Sequence, residues 1–154
     1  MSEADFSARA MAMQRQLYRA AFAILGRDAD CEDAVQDALM RAWSRLGSLR
    51  EPKYFETWLM RILINVCRTM RKKRPLTAEL PASLAAAASP DPQLWSALAA
   101  LPDAVRLCMV LHYNDGFSVE EVAKMTGSPQ GTVKWRLHKG RAALRLALGE
   151  EAFR

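Results

Sequence analysis

Apolar residues along this chain recur at helical spacing, and no stretch alternates with the two-residue period of a strand. Residues 7–25 (SARAMAMQRQLYRAAFAIL) set Ala10, Met13, Leu17, Ala21 and Ile24 on one face, and Gly26 stops that helix. Asp28 or Asp30 caps a second helix, EDAVQDALMRAWSRL, whose buried stripe is Val35, Leu39, Ala42, Trp43 and Leu46. Asp33, Gln36, Asp37 and Met40 lie elsewhere on its surface. After a loop at 47–53, a third helix is predicted from about Tyr54 to Lys73. It divides in two: Phe55, Leu59, Ile62, Leu63, Val66 and Met70 share one face, and Tyr54, Trp58, Arg61, Asn65, Arg68 and Lys72 share another. The basic run 71–74, which includes Arg71, ends at Pro75, where the ring forbids a further turn.

The pattern then lapses. Residues 75–92 (PLTAELPASLAAAASPDP) are rich in Pro, Ala and Ser and read as a flexible linker. Asp91 and Pro92 start another helix, and Pro102 starts the next, through Val105, Leu107, Cys108, Leu111 and Tyr113. Asn114, Asp115 and Gly116 form a turn. Residues 118–145 then read as two helices at a tight turn. Ser118 and Glu121 make a capping box, Gly127 turns the chain, and Ser128 caps the second helix with Pro129 at its first position. In that helix Val133, Leu137, Gly140, Leu144 and Leu148 form one narrow stripe, with Trp135 and His138 opposite. The predicted fold is therefore all-α, with two small helical domains, 1–74 and 93–154, joined by the linker 75–92.

Charge gives these faces a chemistry. The chain has 154 residues, a formal net charge of +5 and an isoelectric point near 9.4, which favours a polyanionic partner. Five acids (Asp28, Asp30, Glu32, Asp33, Asp37) cluster on the second helix, and five bases (Lys134, Arg136, Lys139, Arg141, Arg145) on the last. A capped helix holding a basic second helix is the layout of a helix-turn-helix, whose second helix enters the major groove. A solvated basic helix closing a bundle would carry similar charges. The aromatic, cationic and amide face of the third helix suits stacking on bases and holding phosphates. Its aromatics would also serve to pack the preceding loop.

Other classes find little support. There is no Gly-rich phosphate loop, no H-E-x-x-H and no G-x-S-x-G, so no catalytic residue is assigned and the protein is expected not to be an enzyme. Cys31, Cys67 and Cys108 lie far apart without a C-x-x-C, so no metal or cofactor is expected and the cysteines read as reduced apolar residues. With no signal peptide and no 18-residue apolar segment, a cytoplasmic protein is expected.

Taken in order, these segments resemble the extracytoplasmic-function group of bacterial sigma factors, within the sigma-70 family. YRAAFAILGRDADCEDAVQDALMRAWSRL is similar to regions 2.1–2.2, and FETWLMRILINVCRTMRKKR to regions 2.3–2.4. LPDAVRLCMVLHYNDGFSVEEVAKMTGSPQGTVKWRLHKGRAALR is similar to region 4. The resemblance implies a dissociable subunit that gives core RNA polymerase its promoter. Asp33, Gln36, Asp37 and Met40 would dock on the clamp helices of the largest subunit. Tyr54, Trp58, Arg61, Asn65, Arg68, Arg71 and Lys72 would capture and melt the −10 element. Ser128, Gln130, Thr132, Lys134, Trp135, Arg136, His138, Lys139 and Arg141 would serve the −35 element, with the first part of region 4 against the polymerase flap. It further implies an anti-sigma factor, often membrane-anchored, and no small-molecule substrate. Two positions depart from the group: Thr69 stands where an acid is frequent, and Trp135 where a small residue is common. A stand-alone helix-turn-helix regulator is the alternative.

Overall fold

The computed structural model describes residues 1–73 and 92–149. Most of the expected linker, and Arg74 and Asp91, lie outside the described residues. Among the described residues every regular element is helical, and no helix is long and apolar enough to cross a membrane. The α-helices are α1 (Glu3–Ala12), α2 (Gln14–Leu25), α3 (Asp28–Ser44), α4 (Phe55–Lys73), α5 (Pro92–Ala99), α6 (Asp103–Met109), α7 (Val119–Thr126) and α8 (Gln130–Leu148). Helices α1–α4 form one bundle and α5–α8 a second, as the patterning predicted.

The first helix differs from its prediction. It begins earlier, at a capping box between Ser2 and Asp5, and breaks at Met13 into α1 and α2. The break is a tertiary effect. Phe6 lies edge-on to Trp43 at 5.3 Å and to Phe55 at 5.7 Å, which turns α1 away from the axis of α2. Gly26 ends α2 with φ 70°, a conformation that costs glycine little.

Helix α3 corrects the predicted stripe and cap. Neither Asp28 nor Asp30 stands at its N-cap; Arg27 holds that position, with no side-chain bond of the capping kind. The buried apolar positions are Cys31, Ala34, Ala38 and Ala42, all fully buried, and Asp30 is buried beside them. Val35, Leu39 and Leu46 are only half-buried, and Trp43 is exposed. Alanines at the contact let α3 lie close against α4, with the larger residues as flanks. Helix α4 buries Phe55, Leu59, Ile62, Leu63 and Val66 as predicted, and adds Met60, Ile64 and Cys67. Burial pushes the thiol pKa of Cys31 and Cys67 well up, so both stay protonated and unreactive, in line with the apolar role expected of them.

In the second bundle α6 runs into a π-helical turn, Val110–Asn114. The Ser118–Glu121 capping box starts α7, and Gly127 ends it with φ 67°. Two starts shift by one residue. Pro102 and Pro129 stand at the N-cap positions of α6 and α8, and Ser128 does not cap α8. The Ser128 hydroxyl is engaged elsewhere, accepting from Arg136 Nη1 at 3.0 Å. The predicted stripe of α8 is buried at Val133, Leu137, Gly140 and Leu144.

Gly140 is fixed by its neighbour. A Cβ there would stand 2.5 Å from Sδ and 2.6 Å from Cγ of Met109, itself in the core. Gly140→Ile is expected to lower the thermal midpoint. Overpacking a filled core costs about 1–3 kcal/mol, more than the fraction of about 1 kcal/mol gained by removing a helical glycine. A midpoint at or above that of the native chain would show that Met109 yields without cost.

Candidate nucleic-acid interface

Two surfaces carry the candidate residues. The first is a face of α4 with the 3-10 turn before it. Tyr54 closes that turn (Pro52–Tyr54), and Trp58, Arg61, Asn65, Arg68 and Lys72 follow along the helix. Arg61, Asn65, Arg68 and Lys72 are exposed, as is Tyr54, while Trp58 is half-buried. Trp58 packs at 6.0 Å from the ring of fully buried Phe55, so its inner edge belongs to the core and its outer edge to solvent. Lys53 Nζ lies 5.1 Å from the Tyr54 ring. Thr69 turns its hydroxyl back to the Asn65 carbonyl at 3.1 Å, as threonines in helices do. Arg71 stands apart from this set: it turns to Asp103, with Nη2 3.0 Å from Oδ2.

The second surface is the outer face of α8. Gln130, Lys134, Trp135, His138 and Lys139 are exposed, opposite the buried stripe, and Ser128 and Thr132 are half-buried at its N-terminal end. Free N–H groups at that end attract an anion. Trp135 is 56% exposed, a large apolar area to leave in water, and Lys139 Nζ sits 5.1 Å from its ring centre as a cation–π pair. Arg141 is held by Tyr113, whose hydroxyl accepts from Nη1 at 2.6 Å. Arg136 is turned inward, towards Ser128 and the Cys108 sulfur.

A third surface, on α3, combines charge with apolar area. Asp33 and Gln36 are exposed, Asp37 pairs with Arg41 at 3.0 Å, and Met40 is 72% exposed. Val35 and Leu39 pack against the core beside the alanine stripe, and Trp43, whose ring meets Phe6, is 46% exposed.

Several polar contacts were not foreseen. Arg106 is 4% exposed, yet each of its three guanidinium nitrogens donates a hydrogen bond. Nε donates to the Ala23 carbonyl at 2.7 Å, Nη1 to the carbonyls of Ala99 and Leu101, and Nη2 to Asp103 at 2.7 Å. Burial pulls its pKa down while Asp103 pulls it up. The only trace in the sequence is a charge inside an apolar run. Arg19 donates to Asp115 at 2.7 Å. The Asp115 carboxylate is fully buried, and burial pushes its pKa up to about 6 against the pull of Arg19. No group of three or more His, Cys, Asp or Glu suited to a metal occurs among the described residues.

Comparison with known proteins agrees with this arrangement. Residues 10–75 match the family model of sigma-70 region 2, and residues 92–144 that of sigma-70 region 4. The ECF RNA polymerase sigma factor SigW of Bacillus subtilis is 32% identical over 155 residues, spanning 86% of this chain and 83% of the relative. The ECF RNA polymerase sigma factor SigM of Mycobacterium tuberculosis is 35% identical over 142 residues, spanning 88% of this chain and 72% of the relative. Among solved structures, the sigma factor RpoE in complex with the anti-sigma factor NepR, from Bartonella quintana, superposes with a TM-score of 0.79 at 26% identity, over 95% of this chain and 98% of that one. CnrH in complex with the cytosolic domain of CnrY superposes with a TM-score of 0.75 at 27% identity, over 99% of this chain and 92% of that one. Two helical domains carrying regions 2 and 4 in that order define a sigma-70 factor, and this chain belongs to the extracytoplasmic-function group of that family. It is a promoter-recognition factor of RNA polymerase. The match over region 2 sets aside a stand-alone regulator built on the helix-turn-helix alone.

Proposed function

We propose a division of labour among the three surfaces. The patch of α3 around Asp33, Gln36, Asp37 and Met40 docks on the clamp helices of core polymerase. The face of α4 from Tyr54 to Lys72 captures and opens the −10 element. The outer face of α8 reads the −35 element as duplex, and the start of region 4 rests on the polymerase flap. Domain boundaries at 1–74 and 93–154 follow from this division. The chain performs no catalysis itself, since polymerase makes the RNA, and it works in the cytoplasm, where polymerase and promoter are. An anti-sigma factor is its proposed inhibitor, because RpoE and CnrH, similar over nearly the whole chain, were both solved with such a partner or its cytosolic domain. The observation that carries the reading is the outward face of α8, where Trp135 and Lys139 form an exposed pair above a fully buried stripe.

That face separates reading from anchoring. Lys134, Trp135, His138 and Lys139 project where base edges would lie, whereas Arg141, braced by Tyr113, is placed at the flank for a phosphate. A well-placed basic contact to guanine is worth roughly 1–3 kcal/mol of discrimination. Phosphate contacts add affinity without sequence and weaken with salt. Lys139→Ala is therefore expected to relax the base preference at one −35 position. Arg141→Ala is expected to weaken all sequences alike and to flatten the salt dependence by about one phosphate contact. Binding of a randomised duplex pool by polymerase carrying each variant, at several salt concentrations, measures both. Equal and sequence-blind losses from the two variants would refute the assignment.

A further inference from the structure

We infer that Trp135 makes the −35 reading specific for thymine: its indole packs on the C5-methyl group of a thymine in the major groove, within about two base-pair steps of the base that Lys139 reads. The inference rests on the proposed role of α8 and names a chemical group in its DNA ligand. Trp135 is 56% exposed on the face opposite the stripe of Val133, Leu137, Gly140 and Leu144. So large an apolar surface contributes little while it stays in water, and it gains from any partner that dehydrates it. Its surroundings decide the kind of partner. Lys134, His138 and Lys139 are exposed around it, and no acidic residue stands between Glu121 and Glu150. A cationic rim of this kind favours a polyanion over an apolar or basic protein surface.

Duplex DNA offers such a side chain few apolar partners. Base edges in the major groove present hydrogen-bond donors and acceptors, and the thymine C5-methyl is the apolar group among them. The indole has one donor, Nε1–H, and no acceptor, so most of its surface is satisfied only by apolar contact. Lys139 sets the distance. It follows Trp135 by four residues, about one turn of α8. Its Nζ lies 5.1 Å from the ring centre, and the cation–π attraction keeps it there. An ammonium suits guanine O6 and N7. Base pairs follow one another at about 3.4 Å, so this separation spans fewer than two of them. The pair therefore reads a guanine and a thymine on adjacent or next-but-one base pairs.

The test uses polymerase carrying the full chain. The native complex first selects −35 duplexes from a randomised pool. The selected sequence is expected to hold a thymine close to the position that Lys139→Ala relaxes, and Trp135→Ala is expected to lose the preference at that thymine alone. The decisive step alters only the DNA. Uracil in place of that thymine keeps every hydrogen bond of the base pair and removes the methyl group. It is expected to weaken binding of the native complex about fourfold, equivalent to ~0.8 kcal/mol for one buried carbon. Trp135→Ala is expected to bind the thymine and uracil duplexes alike. Trp135→Phe keeps an apolar ring without the N–H and is expected to keep the distinction. Circular dichroism confirms that each variant is folded. A native complex that binds both duplexes equally, or loses as much for uracil at any other thymine of the duplex, overturns the inference. So does loss of the distinction in folded Trp135→Phe, which would assign the contact to the indole N–H. Failure of the α8 reading itself looks different. Neither Lys139→Ala nor Trp135→Ala then shifts the selected sequence, and both readings fall together. If Lys139→Ala relaxes one position while uracil costs nothing, only the thymine contact falls.

Discussion

Trp58→Ala is expected to abolish promoter opening while leaving both core polymerase binding and −35 duplex binding intact. The −10 strand has to be held unstacked, and lifting a base out of the duplex costs a few kcal/mol. Stacking on an aromatic side chain returns about 1–3 kcal/mol per base. Tyr54, in the turn before α4, and Trp58, on its outer face, are the aromatic residues of this surface, so losing one removes a large share of that return. At 1.4 kcal/mol per factor of ten, opening should fall by roughly one to two orders of magnitude. Permanganate reactivity of unpaired thymines measures it. The position of Trp58 demands a control, because its inner edge packs on Phe55. Trp58→Tyr keeps an aromatic platform and should restore most of the opening, whereas a purely packing role would make the loss follow the thermal midpoint. Normal opening by a folded Trp58→Ala protein would remove the stacking role.

How far such residues were legible from the sequence depends on the range of the forces that place them. The helix-turn-helix was readable almost whole because its signals are local. Ser118 and Glu121 satisfy each other within one turn, Gly127 supplies the left-handed residue, and the spacing of Val133, Leu137, Gly140 and Leu144 sets the buried side of α8. The outward face of α4 was readable for the same reason. The stripe of α3 was misplaced because periodicity gives weight to large apolar residues, whereas the helix contact selected the small ones, Ala34, Ala38 and Ala42. Nothing local marks the break at Met13, which follows from where Phe6 packs. Ser128 had the composition of a cap, but Arg136, eight residues on, engages its hydroxyl.

The seam between the bundles lay furthest from view. Arg19 and Asp115 are 96 residues apart, and Arg106 reaches a carbonyl 83 residues before it. No spacing rule pairs them. Burial changes what such charges do. A buried arginine with every nitrogen engaged, or an aspartate buried beside a single arginine, resists removal because its partner is left without compensation. The same contacts join the two bundles. Arg71 makes one of them. It was grouped with the proposed −10 residues in the sequence, yet it contacts Asp103 of the second bundle.

Reversing Asp33 and Asp37 to lysine is expected to eliminate binding to core polymerase with the helical fold retained. Both side chains project from α3 into solvent, away from the buried line of Cys31, Ala34, Ala38 and Ala42. Lysine is a good helix former, so the backbone tolerates the change. The internal loss is confined to the Asp37–Arg41 pair, and an exposed pair of this spacing contributes only about 0.3–0.5 kcal/mol. At an interface the consequence is much larger. Matching charges set face to face cost several kcal/mol, which at 1.4 kcal/mol per decade weakens association by a hundredfold or more. Met40 and Trp43 beside the acids would supply the apolar part of the contact, so Met40→Ala should weaken binding without the salt dependence that marks the charge reversal. The double reversal also raises net positive charge and with it non-specific DNA affinity, so the measurement is made with core polymerase alone, by fluorescence anisotropy of the labelled chain. Thermal melting and circular dichroism of the variant confirm folding. If a folded double-reversal variant binds core polymerase as tightly as the native chain, the acids of α3 are a solvated face and docking lies elsewhere.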